Sequence, residues 1–499
     1  MSSKRAFKKV LIANRGEIAL RAARACRELQ ISPVGCFTSD DESGGWIRAL
    51  DEAYELKGLK GRAGYLNIEA ILEIAKKTKA DAVHPGYGFL SEQAAFAEAC
   101  QEAGVVFIGP SPHAMAEAGD KITARKTAQK LGIPCLPGTS ALSDWKEALL
   151  KAEKIGYPVL LKAAAGGGGH GMRLVTSSGE MEASFLSASH EALSSFGDGT
   201  LYLEKYLLKP RHIEIQILAD QQGHLIWLGE RECSVQRRHQ KLIEESPSCA
   251  VNEGLRGKMG EKAVHFSKEI GYTGAGTVEF LLDGDNFYFL EMNARIQVEH
   301  PVTEMVTGID LVKSQIEIAE GYPLPLAQEE VQFRGWSFEA RINCEDPMRN
   351  FIPSPGCIEK LFLPGGPGVR IDTAVYPGYN ISEEFDSLFA KLIVWGRHRE
   401  EAVSRMKNAL LEFEVSGIPT TIPFHYQVFS HPVFQKGDLS TRFIEDYLRE
   451  PCSISEEEEE LAAILAALEI QKREVQFENS SQENRWALAG RMRNVGIYH

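Results

Sequence analysis

The sequence predicts a multidomain protein of mixed α/β and α+β class that begins with an open parallel, Rossmann-like α/β domain. Length is the first observation behind this. The 499 residues exceed what one hydrophobic core organises, and at about 150 residues per domain they suggest roughly three domains. The opening of the chain is the second. Val10-Leu11-Ile12-Ala13 reads as a buried strand, Asn14-Arg15-Gly16 as a turn, and Glu17 to Leu29 as an alanine-rich helix with apolar residues at helical spacing. The third is a change of style further on, where the apolar runs Thr277 to Leu282 and Phe287 to Glu291 flank Asp283-Gly284-Asp285-Asn286. An Asp-Gly turn between apolar runs signals a β-hairpin.

Strand and helix alternate onward through Ile68 to Thr78 (helix), Ala82-Val83-His84 (strand end), Ala94 to Ala103 (helix) and Val105 to Ile108 (strand), which sets a first domain at residues 1–120. Residues 121–335 form a second region. Within it, about 131–205, strands near Val159 to Lys162 and Gly171 to Val175 flank a glycine run and mark a small module, and from Tyr206 the strands read as antiparallel. Residues 336–450 combine a strand at Leu392-Ile393-Val394 and a helix near Glu400 to Glu412 with loops marked by Pro353, Pro355, Pro364 and Pro367. Glu456 to Glu460 and the helix-forming Leu461 to Arg473 make residues 451–499 an acidic helical extension, for which a frayed tail is the alternative.

Hydrophobic residues are 43% and charged residues 25% of the chain, the balance of a folded water-soluble protein. A net charge of −14 disfavours nucleic-acid and anionic-membrane surfaces, which would repel it. Nine cysteines without a CxxC pair suggest neither a zinc site nor a disulfide framework. The apolar run Val10 to Ala13 is too short for a signal segment or membrane span, so a cytoplasmic location is expected.

Chemistry concentrates between Glu291 and Glu299. Taken as extended, this stretch puts Glu291, Asn293, Arg295, Gln297 and Glu299 on one face and Met292, Ala294, Ile296 and Val298 on the other. An amphipathic surface strand is the plainer reading. However, Glu279 falls almost opposite Glu291 when residues are counted outward from the turn, and facing like charges destabilise a hairpin by up to about 1 kcal/mol. Something positive is expected between them. Two carboxylates and the Asn293 amide oxygen are an oxygen-only set of the kind that holds Mg²⁺ beside phosphate.

Three weaker signals accompany this. Gly166-Gly167-Gly168-Gly169, after Val159-Leu160-Leu161-Lys162, offers the small residues and free N–H groups of a phosphate-covering loop, or equally a linker; it matches neither the Walker nor the dinucleotide pattern. His84-Pro85-Gly86-Tyr87-Gly88 stands at the ligand-facing end of a strand, or is a rigid turn. Arg237-Arg238-His239-Gln240-Lys241 is a basic cluster in an acidic chain, either solvated surface or anion-binding charge.

Taken together, Val10 to Ala19, His84 to Glu92, Lys162 to Met172, Pro210 to Gln216, Arg237 to Lys241, Glu291 to Pro301 and Phe338 to Asn343 resemble the ATP-grasp superfamily, and within it biotin carboxylase. The ordered blocks span most of the chain. The resemblance implies that residues 121–335 are an ATP-grasp domain with a small mobile lid at about 131–205, and that residues 336–450 are the family's C-terminal mixed α+β domain. It implies that Lys121, Lys162, Gly166, Gly167, Gly168, Gly169, Glu204, Lys205, Tyr206, Leu207, His212, Gln236 and His239, with Glu279 and Glu291, surround ATP. Glu279, Glu291 and Asn293 would be the metal ligands for Mg²⁺ or Mn²⁺. Lys241, Arg295, Gln297 and the Val298 backbone would bind bicarbonate, Glu299 would be its base, and Arg341 would steady the biotin enolate.

Biotin would arrive on a separate carrier, because no lysine stands in the Ala-Met-Lys-Met context that receives it. The implied partners are a biotin carboxyl carrier protein and a carboxyltransferase subunit, with a homodimer expected. One departure stands out: the family's glycine loop continues with arginine, and here the residue is His170, only partly charged near neutral pH. The competing readings are another ATP-grasp ligase joining a carboxylate to an amine, which would not need Arg295, Gln297, Glu299 and Arg341 together, and a non-catalytic nucleotide-binding subunit.

Overall fold

The computed structural model describes residues 6–164 and 172–448, with 460, 461, 464 and 467 beyond them. The glycine run Gly166–Gly169, His170 and most of the expected acidic extension lie outside the described residues. Contacts divide the chain into two units, Met1–Tyr447 and Leu448–His499. In the second, Glu460, Leu461, Ile464 and Ala467 are helical and exposed. No helix among the described residues is long and apolar enough to cross a membrane.

The first unit opens with five parallel strands: β1 (Lys9–Ile12), β2 (Ser32–Phe37), β3 (Glu52–Glu55), β4 (Ala82–His84) and β5 (Val106–Phe107), in the order β3-β2-β1-β4-β5. Helix α1 (Gly16–Glu28) buries Ile18 together with Ala19, Ala22, Ala23, Ala25 and Cys26, the last five small residues that let it lie close to the sheet. Strand order reverses between β1 and β4, and the carboxyl ends of such strands are where open α/β sheets bind ligands. Asn14 ties the two segments there, its Nδ2 donating to the Pro85 carbonyl at 2.7 Å and the Tyr87 carbonyl at 2.8 Å. Gly86 has φ +63°, and a Cβ there would meet Asn14 Nδ2 at 2.8 Å, so this position requires glycine.

A three-stranded antiparallel sheet follows: β6 (Val159–Ala163), β7 (Arg173–Val175) and β8 (Leu201–Lys205), with β6 central. Helices Trp145–Ile155 and Met181–Phe196 cover it, and Ala148, Ala152, Val159, Leu161, Met181, Phe185 and Leu203 give this module its own core.

The centre of the unit is an eight-stranded antiparallel sheet. Its strands are β9 (Arg211–Ala219), β10 (Leu225–Arg237), β11 (Gln240–Ser246), β12 (Gly274–Asp283), β13 (Asn286–Asn293), β14 (Trp336–Asn343), β15 (Val369–Thr373) and β16 (Leu388–Gly396). They are arranged β13-β12-β9-β10-β11-β14-β16-β15. The expected hairpin is present, with Asp283 paired to Asn286. The sheet runs without a break across residue 336, because β11 pairs with β14, Ile243 opposite Ala340. This pairing brings residues of the C-terminal third beside those of the central region.

Candidate functional site

Four strands place charged side chains in one row. Glu291 on β13 is paired with Glu279 on β12, Glu279 with Glu214 on β9, and Glu214 with Arg231 on β10. Three carboxylates side by side repel one another, so the row requires cations. The central one is Lys241, delivered by β11 from the neighbouring hairpin. Its Nζ donates to Glu214 Oε2 at 2.5 Å, Glu279 Oε1 at 2.9 Å and Glu299 Oε1 at 2.8 Å. Arg231, wholly buried, closes the row with Nε donating to Glu214 at 2.5 Å and with bonds to Gln216, Thr303 and Thr277.

At the other end of the row, Lys121 Nζ lies 3.3 Å from Glu291 Oε2. His212 Nε2 is 2.8 Å from Glu279 Oε2, and its Nδ1 is 2.6 Å from Gln236 Nε2. Asn293 Nδ2 donates to Glu279 Oε1 at 2.9 Å. The positive charge expected between Glu279 and Glu291 is therefore supplied by separate lysines, one for each carboxylate. Burial pushes the Glu279 carboxyl up, but Lys241 and His212 outweigh it and hold it well below the usual range.

The stretch Glu291 to Glu299 is not one extended strand. β13 ends at Asn293, residues 294–299 are irregular, and a helix begins at His300 with Glu299 as its N-cap residue. The alternation of burial outlasts the strand and breaks at Gln297, and the side called polar is no solvent face: Gln297 and Glu299 are buried, whereas Val298 is half-buried. Departure from the ladder is what lets Glu299 turn back toward Lys241.

Arg295 leaves the strand toward the first domain, its Nε donating to Glu92 Oε2 at 2.8 Å and its Nη1 to Gln297 Oε1 at 3.0 Å. Arg341 on β14 donates from Nε to Glu244 Oε1 at 2.6 Å and from Nη2 to Glu299 Oε2 at 2.9 Å. Glu299 is thus gripped on both oxygens. Burial disfavours its anion, but Lys241, Arg341 and Arg231 hold its pKa far below the ordinary carboxyl value. Glu244 has one such partner; burial and the nearby Glu299 push it up to about 7 against Arg341.

On the small module's sheet, Glu204 is held between Lys162 Nζ at 2.9 Å and Arg125 Nη1 at 2.5 Å. Burial works against the Lys162 ammonium, yet Glu204 more than restores it. Lys205 Nζ donates to the Gly156 and Tyr157 carbonyls, and Tyr206 and Leu207 follow it, partly buried. The basic run Arg237 to Lys241 is a hairpin turn with Arg238 and His239 at positive φ. It holds His239 exposed while Lys241 faces inward.

Glu279 and Glu291 are paired across β12 and β13, and Asn293 bonds Glu279 through its amide; their oxygens are of the kind that suits Mg²⁺, with Lys121 as the exchangeable cation beside them. Three other groups of potential ligands exist among the described residues: His212 with Glu214 and Glu279, Glu214 with Cys233 and Glu299, and Glu232 with Glu245 and Cys249. The first two are already bridged by Lys241.

Sequence reasoning missed Glu214, Arg231, Glu92, Glu244, Arg125 and Lys391. Two of these left a signal. Glu214 alternates with His212 and Gln216 between isoleucines, and Lys391 is the lone charge in Leu388-Phe389-Ala390-Lys391-Leu392-Ile393-Val394.

Residues 6–115 match the family model "Biotin carboxylase, N-terminal domain", 120–327 "Carbamoyl-phosphate synthase L chain, ATP binding domain", and 339–446 "Biotin carboxylase C-terminal domain". The chain is 51% identical over 444 residues to Biotin carboxylase 1 of Bacillus subtilis, covering 88% of this chain and 99% of that protein. With the alpha subunit of mitochondrial methylcrotonoyl-CoA carboxylase of Oryza sativa it shares 47% over 480 residues, 94% of this chain and 65% of that one. A similar solved structure is the biotin carboxylase domain dimer of Hydrogenobacter thermophilus 2-oxoglutarate carboxylase, in complex with MgADP, ADP and bicarbonate. Its TM-score is 0.87 at 47% identity, with 89% of this chain and 98% of that one covered.

Proposed function

We propose, for a chain that belongs to the biotin carboxylase family, an assignment of the charged row and the Glu299 turn to the two halves of one reaction. That reaction is the ATP-dependent carboxylation of biotin, with Mg²⁺ and bicarbonate. The observation that carries the assignment is the joint hold of Lys241 and Arg341 on Glu299, with Lys241 shared with Glu279, the partner of Glu291.

Glu279, Glu291 and Asn293 bind the metal, Mg²⁺ or Mn²⁺, which when present neutralises phosphate charge at the transferring group. Lys121 and Lys162 meet the phosphates, His212, Gln236 and His239 line the nucleotide, and Glu204 to Leu207 face the adenine. Gly166 to Gly169 cover the phosphates.

Arg295, Gln297, Lys241 and the Val298 backbone receive bicarbonate. Gripped by two cations, Glu299 is ionised but a weak base. An anion that draws Lys241 to itself loosens that grip and raises the basicity of Glu299 when a proton must be taken. Glu299 removes the bicarbonate proton, the oxygen attacks the γ-phosphorus, and ADP leaves as carboxyphosphate forms. Carboxyphosphate breaks down to CO₂ and phosphate. Phosphate takes the ureido proton of biotin, the nitrogen adds to CO₂, and Arg341 stabilises the developing enolate oxygen.

Biotin is carried by a separate carrier protein, and carboxybiotin passes to a carboxyltransferase subunit; relatives named as subunits of pyruvate and 2-oxoglutarate carboxylases support this organisation. A homodimer is the proposed assembly, and the cytoplasm the proposed location. The domain limits 1–120, 121–335, 336–450 and 451–499 go with it.

The test is ADP release from purified protein with free biotin and bicarbonate. Turnover must require bicarbonate and rise with biotin over a slow biotin-independent ATP cleavage, and Arg295→Ala or Glu299→Gln must abolish it while ATP still binds. Turnover supported by an amine in place of biotin would favour a carboxylate–amine ligase. ATP binding without turnover would favour a nucleotide-binding subunit.

A further inference from the structure

Arg341 and Lys391 are direct partners across β14 and β16, and both reach the turn that carries Glu299. Arg341 takes the Glu299 carboxylate, and Lys391 takes the backbone: its Nζ donates to the Val298 carbonyl at 2.8 Å. The Lys391 side chain has 0% exposure, with Glu17 Oε1 at 3.2 Å and Asp372 Oδ2 at 3.9 Å. Glu17 comes from α1 and is itself bonded by the Tyr87 hydroxyl. Asp372 comes from β15 and is held by Arg370 at 2.7 Å. One ammonium therefore joins the first domain, the C-terminal strands and the Glu299 turn.

A buried ammonium survives only where its partners compensate lost hydration, and an apolar residue would serve packing at least as well. The neighbours of Lys391 on β16, from Leu388 to Val394, are otherwise apolar. What an apolar residue could not do is hold a carbonyl. The Val298–Glu299 peptide lies past the end of β13 and before the helix His300–Thr307, where no ladder fixes its plane. Clamping the Val298 carbonyl sets that plane and with it the direction in which the Glu299 side chain leaves the backbone.

We propose that Lys391 is a positioning residue for carboxylation, which, through the Val298 carbonyl and its anchor on Glu17, aims Glu299 at the bicarbonate. This rests on the reading of Glu299 as the base. Misplacing a reacting group by about 1 Å costs on the order of 10²-fold in rate, which sets the scale of the effect.

The experiment compares the full chain with Lys391→Met, measuring ADP release with free biotin while bicarbonate and MgATP are varied separately. The expected result is a fall of about 10- to 100-fold in kcat/KM for bicarbonate, with the KM for ATP within about twofold of the parent. Lys391→Arg, which keeps a donor and the charge, is expected to show a smaller loss in the same parameter, and it carries the test alone if Lys391→Met does not fold. Unchanged bicarbonate kinetics, or equal losses for bicarbonate and ATP, would overturn the inference. A parent chain without bicarbonate-dependent turnover would instead overturn the reading of Glu299.

Discussion

Glu279 and Glu291 stand directly opposite each other across a hairpin, and each carboxylate is held by a different lysine, Lys241 and Lys121. The arrangement separates a structural cation from an exchangeable one. Lys241 is nearly buried and shared by three carboxylates, whereas Lys121 sits at the partly exposed end of the row, where it pairs with Glu291.

Removing the charge proposed to face the metal tests this separation. Glu291→Gln leaves Glu279 and its partners intact, so folding is expected to be unchanged. The affinity of the ATP complex for Mn²⁺ should fall by about 10- to 100-fold, the scale on which metal sites answer to a lost supporting group. Titration followed by Mn²⁺ electron paramagnetic resonance checks it; unaltered Mn²⁺ affinity would place the metal elsewhere.

Lys241→Met strikes the centre of the row. It strands Glu214, Glu279 and Glu299 without their common cation, and breaking a buried ion network this way costs about 3–5 kcal/mol. Because Glu279 and Glu299 have depressed folded pKa values, their stabilisation is present above the ordinary carboxyl range and is lost as pH falls through the folded values. Losing Lys241 raises those values. Urea unfolding is expected to show a deficit that is large at pH 7 and shrinks toward pH 4.

Much of this was legible before the fold was known, for reasons local to the chain. The Asp-Gly turn sets the β12–β13 register, and counting from it brings Glu279 opposite Leu290, one residue short of Glu291; a β-bulge between Glu279 and Phe280 makes up the difference and brings the two glutamates face to face, a shift that no turn signal encodes. The α1 helix followed from apolar spacing. The row's continuation to Glu214 and Arg231 was not legible, because the pairing of β12 with β9 joins strands about sixty positions apart and no local pattern encodes it. Nor was the end of β13 at Asn293: the alternation of polar and apolar residues persists in sequence to Glu299 although the ladder stops, since the loop buries polar groups against Lys241 as readily as a strand would show them to water.

Glu339 offers a test of opposite sign. It lies across from Glu244 on the neighbouring strand, it is wholly buried, and neither carboxylate oxygen has a hydrogen-bond partner. Burial, joined by repulsion from Glu244 and Glu299, raises its pKa well above the ordinary value despite Lys391. The folded state therefore binds a proton that the unfolded chain has released, and this costs stability increasingly as pH rises above the ordinary carboxyl range. Glu339→Gln mimics the neutral acid without that cost. It should be more stable than the parent at pH 8, with the advantage vanishing toward pH 4.5; an advantage independent of pH in urea midpoints would refute a neutral Glu339.

Arg341 takes Glu244 Oε1 in a fork of Nε and Nη2, each at 2.6 Å, and Nη2 also reaches Glu299 Oε2 at 2.9 Å. Arg341→Lys keeps the charge but presents one compact donor, which cannot hold both carboxylates and still face an enolate oxygen. Loss of one donor to a developing oxyanion costs on the order of 10²- to 10³-fold in kcat. Biotin-dependent ADP release should fall by that amount. Bicarbonate-dependent ATP cleavage measured without biotin should fall far less, because in the proposed assignment Glu299 removes its proton before Arg341 meets biotin. Equal losses in the two assays would mean that Arg341 acts through Glu299 alone.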